Sequence, residues 1–298
     1  MTRCGVVSLV GAPNAGKSTL LNRMVGSKVS IVTHKAQTTR SRVRGIVLHG
    51  DSQIVFVDTP GLFRTARRRL ERAMLDAAWR AVDDSDLVVL LYDVQRPQVG
   101  EADAELLAAL AGRRKPLVLA LNKVDAVRKD RLLPLAQDLG GRAPFEAVFM
   151  LSAETGSGVD DLVAWIAPRL PEGPWLFSED DLTDLPMRML AAEITREKLF
   201  LTLHDELPYR LTVETDSWEE FKNGSVKLEQ TITVERESHK RIAIGASGQT
   251  IRGVREAAQQ ELERMLERPV HLFLRVQVRE DWSERSEHYR QWDLDPRA

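Results

Sequence analysis

The chain has one cysteine, Cys4, among 298 residues. An internal disulfide and any cysteine-based metal cluster are therefore excluded, which suits a reducing compartment. Long apolar runs are missing as well. The longest obvious one, Leu87-Val88-Val89-Leu90-Leu91-Tyr92, falls far short of the roughly 18 residues a membrane-spanning helix needs. No internal repeat and no long low-complexity tract is present. Positive charge is also scarce in the carboxyl-terminal third, where residues 186 to 298 hold 18 Lys and Arg against 21 Asp and Glu, a net of −3. That balance argues against broad, non-specific nucleic-acid binding. Arg3 followed by apolar residues mimics a short signal peptide, but the run leads straight into Gly11-Ala12-Pro13. Cleavage there would destroy the glycine-bearing loop that starts at Gly11, so the expectation is an unprocessed cytoplasmic protein.

What is present begins at Gly11-Ala12-Pro13-Asn14-Ala15-Gly16-Lys17-Ser18, which fits the phosphate-binding pattern G-x-x-x-x-G-K-[ST]. A β-branched apolar run, Val6 to Val10, precedes it, and Thr19 to Val25 follows with helical spacing. Two glycines let successive backbone N–H groups turn toward phosphate oxygens, and the helix N-terminus adds partial positive charge. Lys17 then reaches the β- and γ-phosphates, and Ser18 can ligate Mg²⁺.

Three further segments follow in the order a guanine-nucleotide site requires. Asp58-Thr59-Pro60-Gly61 comes after the buried-strand run Gln53 to Val57. Asp58 at that strand end can hold the Mg²⁺ shell, and the Gly61 N–H can meet the γ-phosphate. Asn122-Lys123-Val124-Asp125 follows Leu117 to Leu121. The Asp125 carboxylate can accept from guanine N1–H and the 2-amino group, which adenine cannot offer, so guanine is selected. Ser152-Ala153 follows Ala147 to Leu151, and its backbone N–H is expected to face the base O6. Singly, each later segment reads as well as a turn or a solvated loop. All of them in order, each directly after an apolar strand, make GTP binding the firmest reading. Between the first two lies the polar stretch Lys35 to Arg42, in the place of a loop that senses the γ-phosphate. Either Thr38 or Thr39 should complete the Mg²⁺ shell there, and spacing leaves the choice open.

With 43% hydrophobic and 29% charged residues the chain can bury two modest cores. Expected strands near 6–10, 45–49, 53–57, 86–92, 116–121 and 147–151 alternate with expected helices near 17–25, 65–82, 101–112, 128–138 and 158–169. This alternation predicts an α/β domain over 1–170 with a mainly parallel sheet and its ligand at the carboxyl ends of the strands. Prolines and glycine in Pro168 to Pro174 mark a linker, taken as 171–185, before a second, smaller α+β domain over 186–298. In that domain a helix at 187–203 is followed by strands at 210–215 and 227–235. The stretch around Gly245-Ala246-Ser247-Gly248, a helix to about Glu267 and a strand from Val270 to Val278 complete it. The order αββααβ with Gly-x-x-Gly between paired helices is that of a type II KH domain. Taken alone, Gly-x-x-Gly is more simply a turn. Read as an RNA site, its glycines let backbone amides approach a nucleic-acid backbone, with Ile244 and Ile251 as one wall of a groove. Lys240, Arg241, Arg252 and Arg255 form a local basic group that suits a narrow single-stranded site.

A phosphate loop with Gln37-Thr38-Thr39-Arg40, Asp58-Thr59-Pro60-Gly61, Asn122-Lys123-Val124-Asp125 and a trailing Gly-x-x-Gly domain resembles the Era family of bacterial GTPases. Glu206-Leu207-Pro208-Tyr209 and Pro269-Val270-His271-Leu272 extend the resemblance over essentially the whole chain. It implies a P-loop GTPase that hydrolyses GTP to GDP, binds the 3′ region of 16S rRNA through its KH domain and acts in assembly of the small (30S) subunit. A GTPase acting on another RNA, or on RNA modification, is the alternative. The resemblance further implies a monomer, and raises peripheral association with the inner membrane. Ala246 and Ser247 depart from it, because such loops often carry a basic residue there. Leu62 stands where Ras-like switches place a water-orienting Gln, so intrinsic hydrolysis should be slow. Catalysis is then left to Lys17, Asp58, Gly61 and Asn14. Asn14 either stabilises its turn or, as related GTPases imply, helps hold K⁺ against the phosphates. Arg64, Arg67, Arg68, Arg69 and Arg72 after Gly61 are either a solvated helix face or a group that GTP presents to rRNA phosphates.

Overall fold

In the computed structural model, which describes every residue except 36–37, 63–68, 97, 285–291, 293 and 296–298, the apolar runs become neighbouring strands. These are β1 (Arg3–Gly11), β2 (Val43–His49), β3 (Ser52–Asp58), β4 (Leu87–Asp93), β5 (Leu117–Asn122) and β6 (Phe145–Leu151). They form one six-stranded sheet in the order β2-β3-β1-β4-β5-β6. All neighbours run parallel except β2 and β3. Central strands are buried on both faces, so they read as unbroken apolar runs, whereas the edge strand β6 alternates.

Helices cover both faces of this sheet. α1 (Lys17–Val25) and α5 (Val159–Ile166) close one core with Leu20, Leu21, Leu162 and Ile166. α2 (Arg69–Asp84), α3 (Glu101–Gly112) and α4 (Leu132–Gly140) close the other with Ala78, Val82, Leu107, Leu110 and Leu139. This is the expected P-loop α/β arrangement, and the strand ends that carry the polar motifs lie together at one edge. The helix expected from 65 begins at Arg69 among the described residues, and the one expected from 128 is preceded by a 3₁₀ turn, Lys129–Arg131.

The second unit contains α6 (Met187–Thr202), β7 (Leu211–Glu220), β8 (Val226–Val234), α7 (Glu237–Ile244), α8 (Gln249–Leu266) and β9 (Val270–Val278). β8 is central, antiparallel to β7 and parallel to β9, which gives the KH order αββααβ. β7 runs five residues past the expected end at Thr215. A register shift between Thr215 and Ser217 absorbs the turn-type Asp216 as a bulge, after which Trp218 packs on the core.

The stretch 171–185, expected as a linker, is fastened to the first unit over most of its length. Cys4 N–H donates to Pro171 O, Gln53 accepts from the backbone of Leu176 and Phe177 and donates to Phe177 O, and Ile46 N–H donates to Leu182 O. Arg44 pairs with Asp184. The chain divides into compact units at Asp184/Leu185, and the described tail residues Trp292, Leu294 and Asp295 group with the first unit. Among the described residues no helix is long and apolar enough to cross a membrane.

Candidate GTP and RNA sites

The end of β1, the turn that follows it and the start of α1 wrap a cleft of about 480 Å³. Pro13, Asn14, Gly16, Lys17, Ser18 and Thr19 line it at one end, and Asn122, Lys123, Asp125 and Ala153 at the other. Gly16 is required on two grounds. Its φ of 98° is left-handed, and a Cβ there would lie 2.2 Å from Asn122 Nδ2. That contact matters because Asn122 is a brace: its Nδ2 donates to Ala15 O (2.8 Å) and its Oδ1 accepts from Ala153 N–H (2.9 Å). One buried amide thus locks the phosphate loop to the loop after β6.

Lys17 is buried, and its ammonium donates to Gly11 O and Ala12 O, each at 3.2 Å. Burial pushes its pKa down, against the opposing pull of Asp58, and burial pushes the Asp58 carboxyl up, against Lys17 and three hydroxyl donors. Both groups are thus held in an environment hostile to their charged forms. Phosphate oxygens at Lys17 and a cation at Asp58 would reverse both directions.

Asp58 is the convergence point. Its Oδ2 accepts from Ser18 Oγ (2.5 Å), Ser30 Oγ (2.9 Å) and Thr39 Oγ1 (3.4 Å), while Ser18 Oγ and Thr39 Oγ1 lie 3.2 Å apart. Its Oδ1 is buried with no partner. Two hydroxyl oxygens beside a carboxylate with an orphaned oxygen fit the hard, oxygen-seeking Mg²⁺. Thr39 therefore joins the cluster. Thr38 does not, since its hydroxyl lies 2.6 Å from Thr33 Oγ1 and bonds Lys35 O (2.8 Å). The motif residue Thr59 is spent on structure, donating to Leu9 O (2.9 Å). Pro60 and Gly61 are buried beside it, and Gly61 lines the cleft against Pro13. Leu62 is buried in the core with its N–H on Gly11 O (3.2 Å), so its side chain is turned away from any attacking water. Asn14, left-handed at φ 63°, donates from Nδ2 to His34 O (2.8 Å) and so ties the phosphate loop to the segment before Thr39.

At the base end Asp125 is exposed at the cleft, in keeping with a group meant for a ligand. The backbone donor expected for guanine O6 is placed differently. Ala153 N–H is engaged by Asn122 and Ser152 N–H by Ser157 O, because the loop tightens onto the Asn122 brace, so Glu154 is the next residue along the loop that lines the cleft. Three contributors escaped sequence reading. Ser30 carries no pattern; Arg23 holds the carbonyls of Ala153 and Glu154; Asp93 pairs with left-handed Lys123 at 2.6 Å. Only Asp93 had a signal, as an acid at the end of β4.

In the KH unit Gly245 (φ 75°), Ser247 (φ 51°) and Gly248 (φ 75°) turn the chain between α7 and α8. A Cβ on Gly245 would lie 2.2 Å from Thr250 Oγ1. Arg241, Ala246, Ser247 and Arg252 are exposed, and Lys240 and Ile244 half-buried. Ile251, expected as groove wall, packs partly on the KH core, while Ile242, passed over in the sequence, is 56% exposed. Arg64, Arg67 and Arg68 lie outside the described residues; Arg69 and Arg72 fall in the first turn of α2, Arg72 exposed.

Comparison with known proteins agrees with both units. Residues 6–123 match the model of the 50S ribosome-binding GTPase family and residues 206–283 that of the KH domain. GTPase Era of Sinorhizobium medicae is 56% identical over 294 residues, spanning 99% of this chain and 94% of that protein. GTPase Era of Dinoroseobacter shibae is 55% identical over 297 residues, spanning 99% and 96%. Among solved structures, an Aquifex aeolicus Era variant bound to GDP·AlF₄⁻ superimposes with a TM-score of 0.92 at 36% identity, over 98% of this chain and 99% of that one. Era bound to MgGDPNP and nucleotides 1506–1542 of 16S rRNA gives the same score, identity and coverage.

Proposed function

The chain belongs to the Era family of GTPases, and from that premise we propose that it is a GTP-operated switch on the 3′ region of 16S rRNA, acting in assembly of the small ribosomal subunit. The observation that carries the reading is the Ser18–Asp58–Thr39 cluster, because it joins the phosphate loop, the end of β3 and the sensing segment at one cation-seeking point. Magnesium, when bound, would be held by Ser18, Thr39 and Asp58 and would shield the charge between the β- and γ-phosphates.

The chain's own residues do the rest. Backbone N–H groups from Asn14 to Thr19 cradle the phosphates, and Lys17 exchanges its carbonyl partners for phosphate oxygens, regaining a counter-charge in a dry site. Gly61 N–H meets the γ-phosphate. Asp125 reads the guanine edge, and the Asn122 brace holds the base loop against the phosphate loop. Leu62 leaves the attacking water unpositioned, so turnover is slow until a partner or cation assists. Asn14, with its Nδ2 already on His34 O, has its amide oxygen for K⁺. Equal turnover in matched NaCl and KCl would remove that cation.

RNA lies over the Gly245–Gly248 turn, against Ile242 and Ile244, with Lys240, Arg241 and Arg252 on its phosphates. The structure of a relative with a 16S rRNA fragment supports this choice of RNA. We place the protein in the cytoplasm as a monomer, with the inner membrane as a peripheral location. The test is binding of a labelled 16S rRNA 3′ fragment by the full chain loaded with a non-hydrolysable GTP analogue or with GDP. Tighter binding in the GTP form is expected; equal binding in both would break the switch.

A further inference from the structure

We propose that the carboxyl-terminal tail clasps the γ-phosphate-sensing segment, with Trp292 a positioning residue for GTP. Tryptophan is large and seldom fully buried. Here Trp292 is 7% exposed and Leu294 is 4% exposed. The Trp292 ring lies 5.8 Å from the guanidinium carbon of Arg40, which is itself buried. Three residues on, Asp295 Oδ2 accepts from Arg80 Nη2 on α2 at 3.0 Å. Arg42 Nη1, two residues after Arg40, lies 3.7 Å from Asp84 Oδ2 at the end of the same helix. Tail, sensing segment and α2 thus form one packed group inside the first unit.

Arg40 directly follows Thr39, the hydroxyl that reaches Asp58. A buried guanidinium over an indole face is a fixed point for the backbone, since moving it exposes the ring and gives up a desolvated cation–π contact. Holding Arg40 therefore restricts where the Thr39 hydroxyl can point. GTP with Mg²⁺ depends on that hydroxyl, whereas GDP does not, so the docked tail favours GTP selectively. By reciprocity, GTP strengthens docking of the tail. The chain leading to this tail comes from the KH unit, so the clasp gives the nucleotide a covalent line to the RNA-binding part that does not pass through residues 171–184.

This inference rests on the GTPase reading, and the test separates the two. Affinities of the full chain for a non-hydrolysable GTP analogue and for GDP, each with Mg²⁺, would be measured for wild type, Trp292→Ala, Trp292→Phe and Asp295→Lys. Trp292→Ala should weaken the GTP analogue about five- to tenfold, the scale of one desolvated cation–π contact, and leave GDP within about twofold. Phe at 292 should recover most of the loss, and Asp295→Lys, which sets two cations together, should weaken GTP in the same direction. Unchanged affinity for the GTP analogue, or equal weakening of both nucleotides, overturns the clasp. Failure of the wild type to bind either nucleotide removes the GTPase reading, and the clasp with it.

Discussion

The two units solve opposite problems with their polar groups. In the first, Lys17, Asp58, Thr39 and Asn122 are buried, with Thr39 bonded to Asp58, Lys17 to the carbonyls of Gly11 and Ala12, and Asn122 to the backbone of Ala15 and Ala153, so the site is held by its own internal contacts. In the KH unit the residues offered to RNA are mostly exposed side chains around a left-handed turn, and the backbone geometry is the recognition element. A buried site should fail sharply when one group is changed. An exposed one should fail by degrees.

The sharpest break is expected at Asp125, which stands exposed at the mouth of that buried site and meets the base directly. Changing Asp125→Asn removes a carboxylate that matches two guanine donors, and sites built on such matching discriminate by about 10⁴ or more. GTP affinity should fall by orders of magnitude while xanthosine triphosphate becomes the preferred ligand, because the amide can donate to a 2-oxo group. Competition binding with the two nucleotides checks it, and unchanged GTP affinity would mean the base is read elsewhere.

A smaller effect separates adjacent threonines. Thr39→Ala should raise the Mg²⁺ concentration needed for GTP binding about 10- to 100-fold, the usual range when a metal-site contact is lost. Thr38→Ala, whose hydroxyl bonds Lys35 O, should leave it nearly unchanged. Magnesium titrations of both variants decide the matter; the reverse order would show that the sensing segment is rearranged by nucleotide.

The difference between the units also explains how far the sequence could be read. Strand-end motifs such as Asp58 and Asn122 are legible because parallel strands buried on both faces leave only their ends for chemistry, and guanine chemistry restricts what may stand there. The choice between Thr38 and Thr39 was not legible, since it depends on which hydroxyl the fold turns toward Asp58. Ser30 was not legible either, as it reaches Asp58 through a loop fixed by Asn22. Residues 171–185 read as a linker because proline and glycine signal irregular backbone, and no local pattern says that Gln53 will hold it. In the KH unit, element order survived, but Asp216 hid half of β7 in a bulge.

A graded effect is expected at the RNA turn. Ala246→Asp with Ser247→Asp places two anions where a phosphate backbone should pass, and both side chains are exposed, so folding and GTP affinity should hold. Affinity for the 16S rRNA fragment should drop about tenfold or more with a changed salt slope. Undiminished affinity would move the RNA site off Gly245–Gly248.

The smallest expected effect is a pH dependence inside the KH unit. His239 on α7 has its Nδ1 buried without a partner, near the Arg210–Glu235 ion pair at 2.8 Å. Burial lowers its pKa below the ordinary histidine value; Glu235 opposes the shift, and Arg210 and Arg236 add to it. The unfolded chain therefore takes up a proton near the ordinary value while the folded chain does so only at lower pH. Unfolding binds protons in that interval, so the stabilisation is present above the ordinary value and lost as pH falls through the folded one. Urea midpoints of wild type should decline as pH falls through and below the ordinary histidine value, and His239→Asn should flatten part of that decline. Because α7 leads directly into Gly245, the same acid interval should loosen rRNA binding before it touches GTP affinity. Parallel decline of both would place the titrating group in the nucleotide unit instead.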